Sequence, residues 1–182
     1  MRYVEPIRDR EIIADIRRRL LDKEDKRDYI FFQLGINTGY RISDLLRLRV
    51  HHLRAKEIKI IEKKTRKQKS FEMNPSVRRE LLELLKDRDD FEFIIKSREG
   101  TNKPLTRSMT YKIIRDITAK YNIEGGIGNH TLRKTYGYHF YLETKDVVAL
   151  QNIFNHSDPS ITLRYIGYAQ DTMNAITKRF RI

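Results

Sequence analysis

Helical spacing runs along almost the whole of this chain and is interrupted once, by two short β-type runs around a basic turn. That interruption constrains the fold more than any other feature. Residues 57–62 (EIKIIE) and 69–73 (KSFEM) read as strands, and the KKTRKQ between them is a polar basic turn, so the pair predicts an antiparallel hairpin. On either side the pattern is helical. Residues 9–24 carry apolar side chains at 12, 13, 16, 20 and 21, one face of a helix. Residues 26–38 form a more apolar, buried helix that Gly39 ends. Ser43 reads as the N-cap of a short helix carrying Leu45, Leu46 and Leu48. Helices are predicted at about 76–87 after Pro75, at 106–121, near 130–143, 145–154 and 159–167, and in an amphipathic segment near 169–180. FEFIIK (91–96) is short enough to be a strand. The expected class is mainly α with a small antiparallel β-sheet (α+β). At 182 residues the chain has room for one domain with a real core and not for two comfortable ones.

Charge narrows the partners. Lysine and arginine outnumber the acids to give a formal net charge of +13. Such an excess favours a polyanion, nucleic acid first and an anionic membrane second. No apolar run approaches the length of a spanning helix, and MRYVEPIRDR has no signal-peptide core. Cysteine is absent, so the chain has neither a disulfide framework nor a thiolate metal site. The expectation is a cytoplasmic protein with no metal and no cofactor.

Four segments carry candidate chemistry. In NHTLRKTYGYH (129–139), His130 and Arg133 share one helix face, and imidazole beside guanidinium suits a phosphate. Taken alone, the pair also fits the surface of any basic helix. In FNHSDPSITLRYIGY (154–168), Tyr165 follows His156 by nine residues, but it is one of ten tyrosines, and most tyrosines pack. In NTGYRISDLLRLRV (37–50), Arg41 lies between a helix end and a helix start, where free N–H groups favour an anion. Asp44 either hydrogen-bonds an active-site group or favours the helix dipole. In the hairpin loop, Lys63, Lys64, Arg66, Lys67 and Lys69 either stay solvated or reach DNA phosphates and base edges.

In this order the four segments resemble the tyrosine recombinase (phage integrase) family, whose pattern is Arg, Lys, His-x-x-Arg, His, Tyr. Here it reads Arg41 in GYRISDLLRL, Lys64 in KKTRKQKSFEM, His130 and Arg133 in HTLR, His156 in NHS and Tyr165 in TLRYIGY. The hairpin resembles the family's K-x-x-K-x-x-x-hydrophobic strand entry, a register that selects Lys64 over Lys63 and Lys67. The resemblance covers about residues 10–170 and implies that family's catalytic-domain fold. Where the family often has Leu-Gly before the second His, this chain has Phe154 and Asn155, and asparagine tolerates a positive φ.

The resemblance implies a metal- and ATP-independent enzyme that cuts and rejoins double-stranded DNA through a 3′-phosphotyrosyl link on Tyr165. Arg41, Arg133 and His156 then contact the phosphate, His130 accepts the tyrosine proton, and Lys64 protonates the leaving oxygen. Asp44 is a supporting residue, and Lys63, Arg66, Lys67 and Lys69 are DNA contacts. Also implied are self-association on DNA as dimer or tetramer by a chain monomeric in isolation, and accessory DNA-binding proteins as partners. A bacterial, archaeal or phage source is expected. The family's N-terminal clamp domain has no counterpart here, and residues 169–182 dock either on their own chain or on a neighbour. The competing readings are a non-catalytic DNA-binding or regulatory protein on the same fold and a type IB topoisomerase-like relaxing activity. An RNA-binding role ranks below both, because no aromatic-rich sheet offers a stacking surface.

Overall fold

The computed structural model describes residues 4–64, 66–123 and 125–181. The chain begins with α1 (Arg10–Leu21), capped by the Asp9 carboxylate accepting from the Glu11 amide, and α2 (Arg27–Thr38). The two lie side by side, with Tyr29, Ile30, Phe31, Phe32 and Leu34 of α2 buried. The short helices α3 (Ile42–Leu45) and α4 (Val50–Arg54) lead into strands β1 (Ile58–Ile61) and β2 (Gln68–Phe71). These pair antiparallel, with Ile58 opposite Phe71 and Ile61 opposite Gln68, as the alternating runs predict. Next come α5 (Pro75–Leu84), α6 (Arg107–Thr118), α7 (Thr131–Thr144), α8 (Val147–Phe154), α9 (Pro159–Tyr165) and α10 (Tyr168–Arg179).

Two expectations need correcting, and one element was not foreseen. Ser43 is inside α3, and the cap position belongs to Arg41, whose carbonyl accepts from the Asp44 and Leu45 amides. FEFIIK makes no strand. Phe93 and Lys96 each form an isolated bridge, to Arg49 and Pro104, because no strand lies alongside for a ladder. Helix α4 was not expected, since five residues show no periodicity. It forms because Val50 and Leu53 are fully buried and the Val50 amide finds the Glu92 carbonyl.

Buried apolar side chains make two clusters. The larger gathers α1 to α6 with Leu132 of α7; the smaller holds Leu150, Phe154 and Ile166 under α7, α8 and α9. Helix α7 belongs to both, and its Gly137 lets α8 close in. A Cβ there would lie 2.6 Å from the Phe154 ring and 2.8 Å from Ile166. Helix α10 is tied by its first turn, where Arg8 pairs with Asp171 at 2.7 Å and Tyr141 meets Tyr168. It buries no residue, and Met173, Ile176 and Phe180 stay exposed. Among the described residues no helix is long and apolar enough to cross a membrane.

Candidate active site

The seam between the two clusters brings together residues far apart in sequence. Gly39 ends α2 in the left-handed region (φ 62°), so the chain turns and sets Arg41 at the start of α3. With only four residues, α3 has little macrodipole, so positive charge here comes from the guanidinium rather than from the helix. Arg41 donates to Glu62 Oε1 at 2.8 Å and to the Phe154 carbonyl at 3.4 Å. Arg133, one turn into α7 and 3% exposed, donates to the Gly39 carbonyl and, at 2.9 Å, to the same Phe154 carbonyl. Its guanidinium stacks 4.2 Å from the centre of the Phe154 ring.

Two cations therefore converge on one neutral oxygen at the C-terminal end of α8. The geometry depends on Asn155, which takes the left-handed conformation (φ 51°, ψ 50°) that its side chain tolerates. Burial and the nearby Arg41 charge pull the Arg133 pKa down, an environment that favours an added anion.

His130 sits at the cap of α7 rather than inside it, and its Nδ1 lies 3.1 Å from the Tyr165 hydroxyl. Tyr165 is the last residue of α9. Burial, then the charge of Arg133, lowers the His130 pKa, so the ring is neutral near pH 7 and able to accept a proton. His156 follows Asn155, contacts Thr162 Oγ1 through Nδ1 at 3.0 Å, and lies 5.2 Å ring to ring from Tyr165. Burial and the cations Arg133, Arg41 and Lys64 bring it to about 4. A hydroxyl on a neutral imidazole beside the buried guanidinium of Arg133 and the half-buried one of Arg41 is equipped to attack a phosphate ester.

The hairpin contributes differently from the expectation. Lys63, Lys64, Arg66 and Lys67 are exposed on the turn, and the charge of Lys64 is felt at His156. Lys69, expected as a DNA contact, instead points inward from β2. Its side chain is 14% exposed, donates to the Ile153 carbonyl at 2.5 Å, and lies 3.9 Å from Glu62. The alternation of β2 explains this: once Gln68 and Ser70 face out, Lys69 must face in. Asp44 is fully buried and accepts the Lys63 amide at 3.0 Å, so it fastens the turn.

The sequence reading missed Glu62. It is 2% exposed and binds Arg41 from the end of β1. Its signal was available, since it is the single acid in EKKTRKQK. Removing one partner of a buried ion pair strands the other, so Glu62→Ala should cost on the order of 3 kcal/mol of stability. Urea unfolding at pH 7 measures this; a loss below about 1 kcal/mol would mean Arg41 is held by its other contacts.

Known proteins resemble this chain over most of its length. The model of the phage integrase family matches residues 10–171. A probable integrase/recombinase, YoeC of Bacillus subtilis (strain 168), is 45% identical over 181 residues, which cover 99% of this chain and 98% of that protein. The tyrosine recombinase XerD of Listeria innocua serovar 6a is 27% identical over 170 residues, 85% of this chain but 54% of the relative. The crystal structure of the XerH site-specific recombinase in a post-cleavage complex with its palindromic difH substrate superposes with a TM-score of 0.72 at 18% identity. That match covers 97% of this chain and 53% of the other, so this chain spans about half of the longer proteins it matches. At that identity the likeness concerns the fold.

Proposed function

The chain belongs to the phage integrase family, and on that premise we propose that it cuts and rejoins double-stranded DNA as a site-specific recombinase, through a covalent intermediate on Tyr165. The observation that carries the reading is the 3.1 Å contact between the Tyr165 hydroxyl and His130 Nδ1, beside two arginines converging on one carbonyl.

In the proposed step the Tyr165 oxygen attacks a backbone phosphorus while its proton passes to His130 Nδ1. The bond from phosphorus to the 5′-oxygen breaks, and Lys64 gives that oxygen a proton. A 3′-phosphotyrosine and a free 5′-hydroxyl result. Attack by a second 5′-hydroxyl reverses the sequence, and no ATP is needed because the phosphoester keeps the energy of the broken bond. Arg41 and Arg133 each have N–H groups to turn from the Phe154 carbonyl toward the non-bridging oxygens. His156 is suited to donate to the same oxygens through Nε2 when the Thr162 hydroxyl donates to Nδ1. Asp44 supports the reaction by holding the turn that carries Lys64. Lys63, Arg66 and Lys67 are proposed phosphate contacts, and Lys69 is assigned to the interior of the hairpin.

Binding is proposed to be phosphate-driven, with log affinity falling steeply as log salt rises. Assembly on DNA is proposed as dimer or tetramer, with Met173 and Ile176 of α10 and Phe180 just after it meeting a neighbouring protomer. The setting is proposed to be cytoplasmic. A purely binding role is not favoured, because a binder has no use for a hydroxyl poised on a neutral imidazole.

The test is to recover preferred sites from a random duplex pool, convert them to nicked suicide substrates, and look for a protein–DNA adduct that survives denaturation. No adduct on any recovered site would overturn the reading. Lys64→Ala should slow adduct formation about a hundredfold. A 5′-thio substrate, whose leaving group needs no proton, should restore it. Failure of that rescue would remove Lys64 from the acid role.

A further inference from the structure

Lys134 stands next to the site and takes no part in the step just described. It is 4% exposed, and Glu5 lies close enough for its charge to act on it. It follows His130 by four residues, so the two share one face of α7. The Tyr165 ring lies across that face. Its hydroxyl meets His130 Nδ1 at 3.1 Å, and its centroid is 5.1 Å from Lys134 Nζ. One turn of helix thus contacts both ends of the tyrosine, imidazole at the oxygen and ammonium at the ring.

An ammonium beside an aromatic face is attracted to the neutral ring. It is attracted more strongly to the phenolate, which carries a full negative charge. The difference favours ionisation of the hydroxyl. Resting on the reading of Tyr165 as nucleophile, we propose that Lys134 is a positioning residue for strand cleavage: it fixes the Tyr165 ring against α7 and stabilises the phenolate that attacks phosphorus. Burial lowers the Lys134 pKa to about 8, which leaves it charged at neutral pH. Among the described residues, the other charged or titratable groups facing this arrangement include His130 at the cap of α7, Arg133 on α7, Arg41 at the start of α3, His156 before α9, Glu5 and Arg8 of the N-terminal segment near Lys134, and Arg107 of α6 near His130. Glu5 and Arg8 are paired with each other at 2.7 Å, which moderates their separate effects on Lys134.

The experiment titrates the full-length chain labelled with 13Cζ-tyrosine, following the Tyr165 signal identified by its loss in Tyr165→Phe. Because Lys134 sheds its proton near pH 8, the comparison is between Lys134→Arg, charged throughout, and Lys134→Met: the Arg variant should hold the Tyr165 pKa about one unit below that of the Met variant, roughly tenfold more phenolate at a given pH. On the suicide substrate Lys134→Met should be slowed about tenfold at neutral pH, with the deficit shrinking as pH rises. A residue that only packs would give a deficit equal at every pH. Identical Tyr165 titrations in the Arg and Met variants, or a pH-independent deficit, overturn the proposal. Should Lys134→Met fail to fold by circular dichroism, Lys134→Gln takes its place in both measurements. The titration uses no DNA, so its failure leaves the adduct test of Tyr165 standing, and failure of the adduct test leaves the titration unchanged.

Discussion

Tyr165→Phe should form no covalent adduct on a suicide substrate, while binding the same duplex as tightly as the parent chain. The substitution removes one oxygen and keeps the ring that packs between Phe154, His156 and Lys134. Arg41, Arg133 and the basic turn are untouched, so the phosphate contacts and the salt dependence of binding should persist. Loss of a nucleophile has no partial substitute, and adduct formation should fall by at least about four orders of magnitude. The other tyrosines are poor replacements on physical grounds. Tyr40 is 1% exposed, donates a hydrogen bond to the Ile58 carbonyl at 3.2 Å, and has its pKa raised by burial. Tyr136 is pushed up to about 12 by the same cause. An adduct formed by the Phe variant would place the nucleophile elsewhere and end the assignment.

Arg133→Lys should be nearly as damaging to the reaction, and should also weaken the fold. The guanidinium reaches the Gly39 and Phe154 carbonyls with two different nitrogens and stacks on the Phe154 ring. An ammonium concentrates its donors on one nitrogen, which cannot span both carbonyls and a phosphate as the separated nitrogens of the guanidinium do. One buried carbonyl loses its donor, which costs about 1–3 kcal/mol. The transition state loses a fixed donor, for which about a hundredfold to a thousandfold slower adduct formation is expected. Unfolding in urea without DNA reports the first effect, and single-turnover cleavage reports the second. A variant that is destabilised yet cleaves at the parental rate would make Arg133 a structural residue of the α2–α8 seam.

Much of this was legible in the sequence because it is local. The helices that bury a stripe, α1 and α6 among them, follow from spacing. The hairpin follows from two alternating runs about a basic turn. The order of Arg41, Lys64, His130, Arg133, His156 and Tyr165 follows from motifs readable without coordinates. Asn155 stands where the family often has glycine, a position at which asparagine tolerates a positive φ, and the backbone has it. What was misread depends on neighbours. Ser43 looked like a cap because capping residues are common before apolar runs, but the turn after Gly39 brings Arg41 to that position. FEFIIK had the composition of a strand and lacked a partner. Lys69 looked like one more base in a basic turn, and only pairing to β1 decides which way it faces.

The sequence by itself determined which groups this protein has to work with: a cationic chain, an ordered set of bases and one tyrosine, and helices long enough to carry them. Whether those groups meet was decided by tertiary structure. The Phe154 carbonyl that gathers both arginines, the burial that keeps His130 and His156 neutral, the Glu62 ion pair with Arg41 and the ammonium of Lys134 beside the Tyr165 ring are contacts between segments distant in the chain. The physical reason is that periodicity records which face of an element is buried, whereas the desolvation and charge proximity that set reactivity depend on what the fold packs against that face.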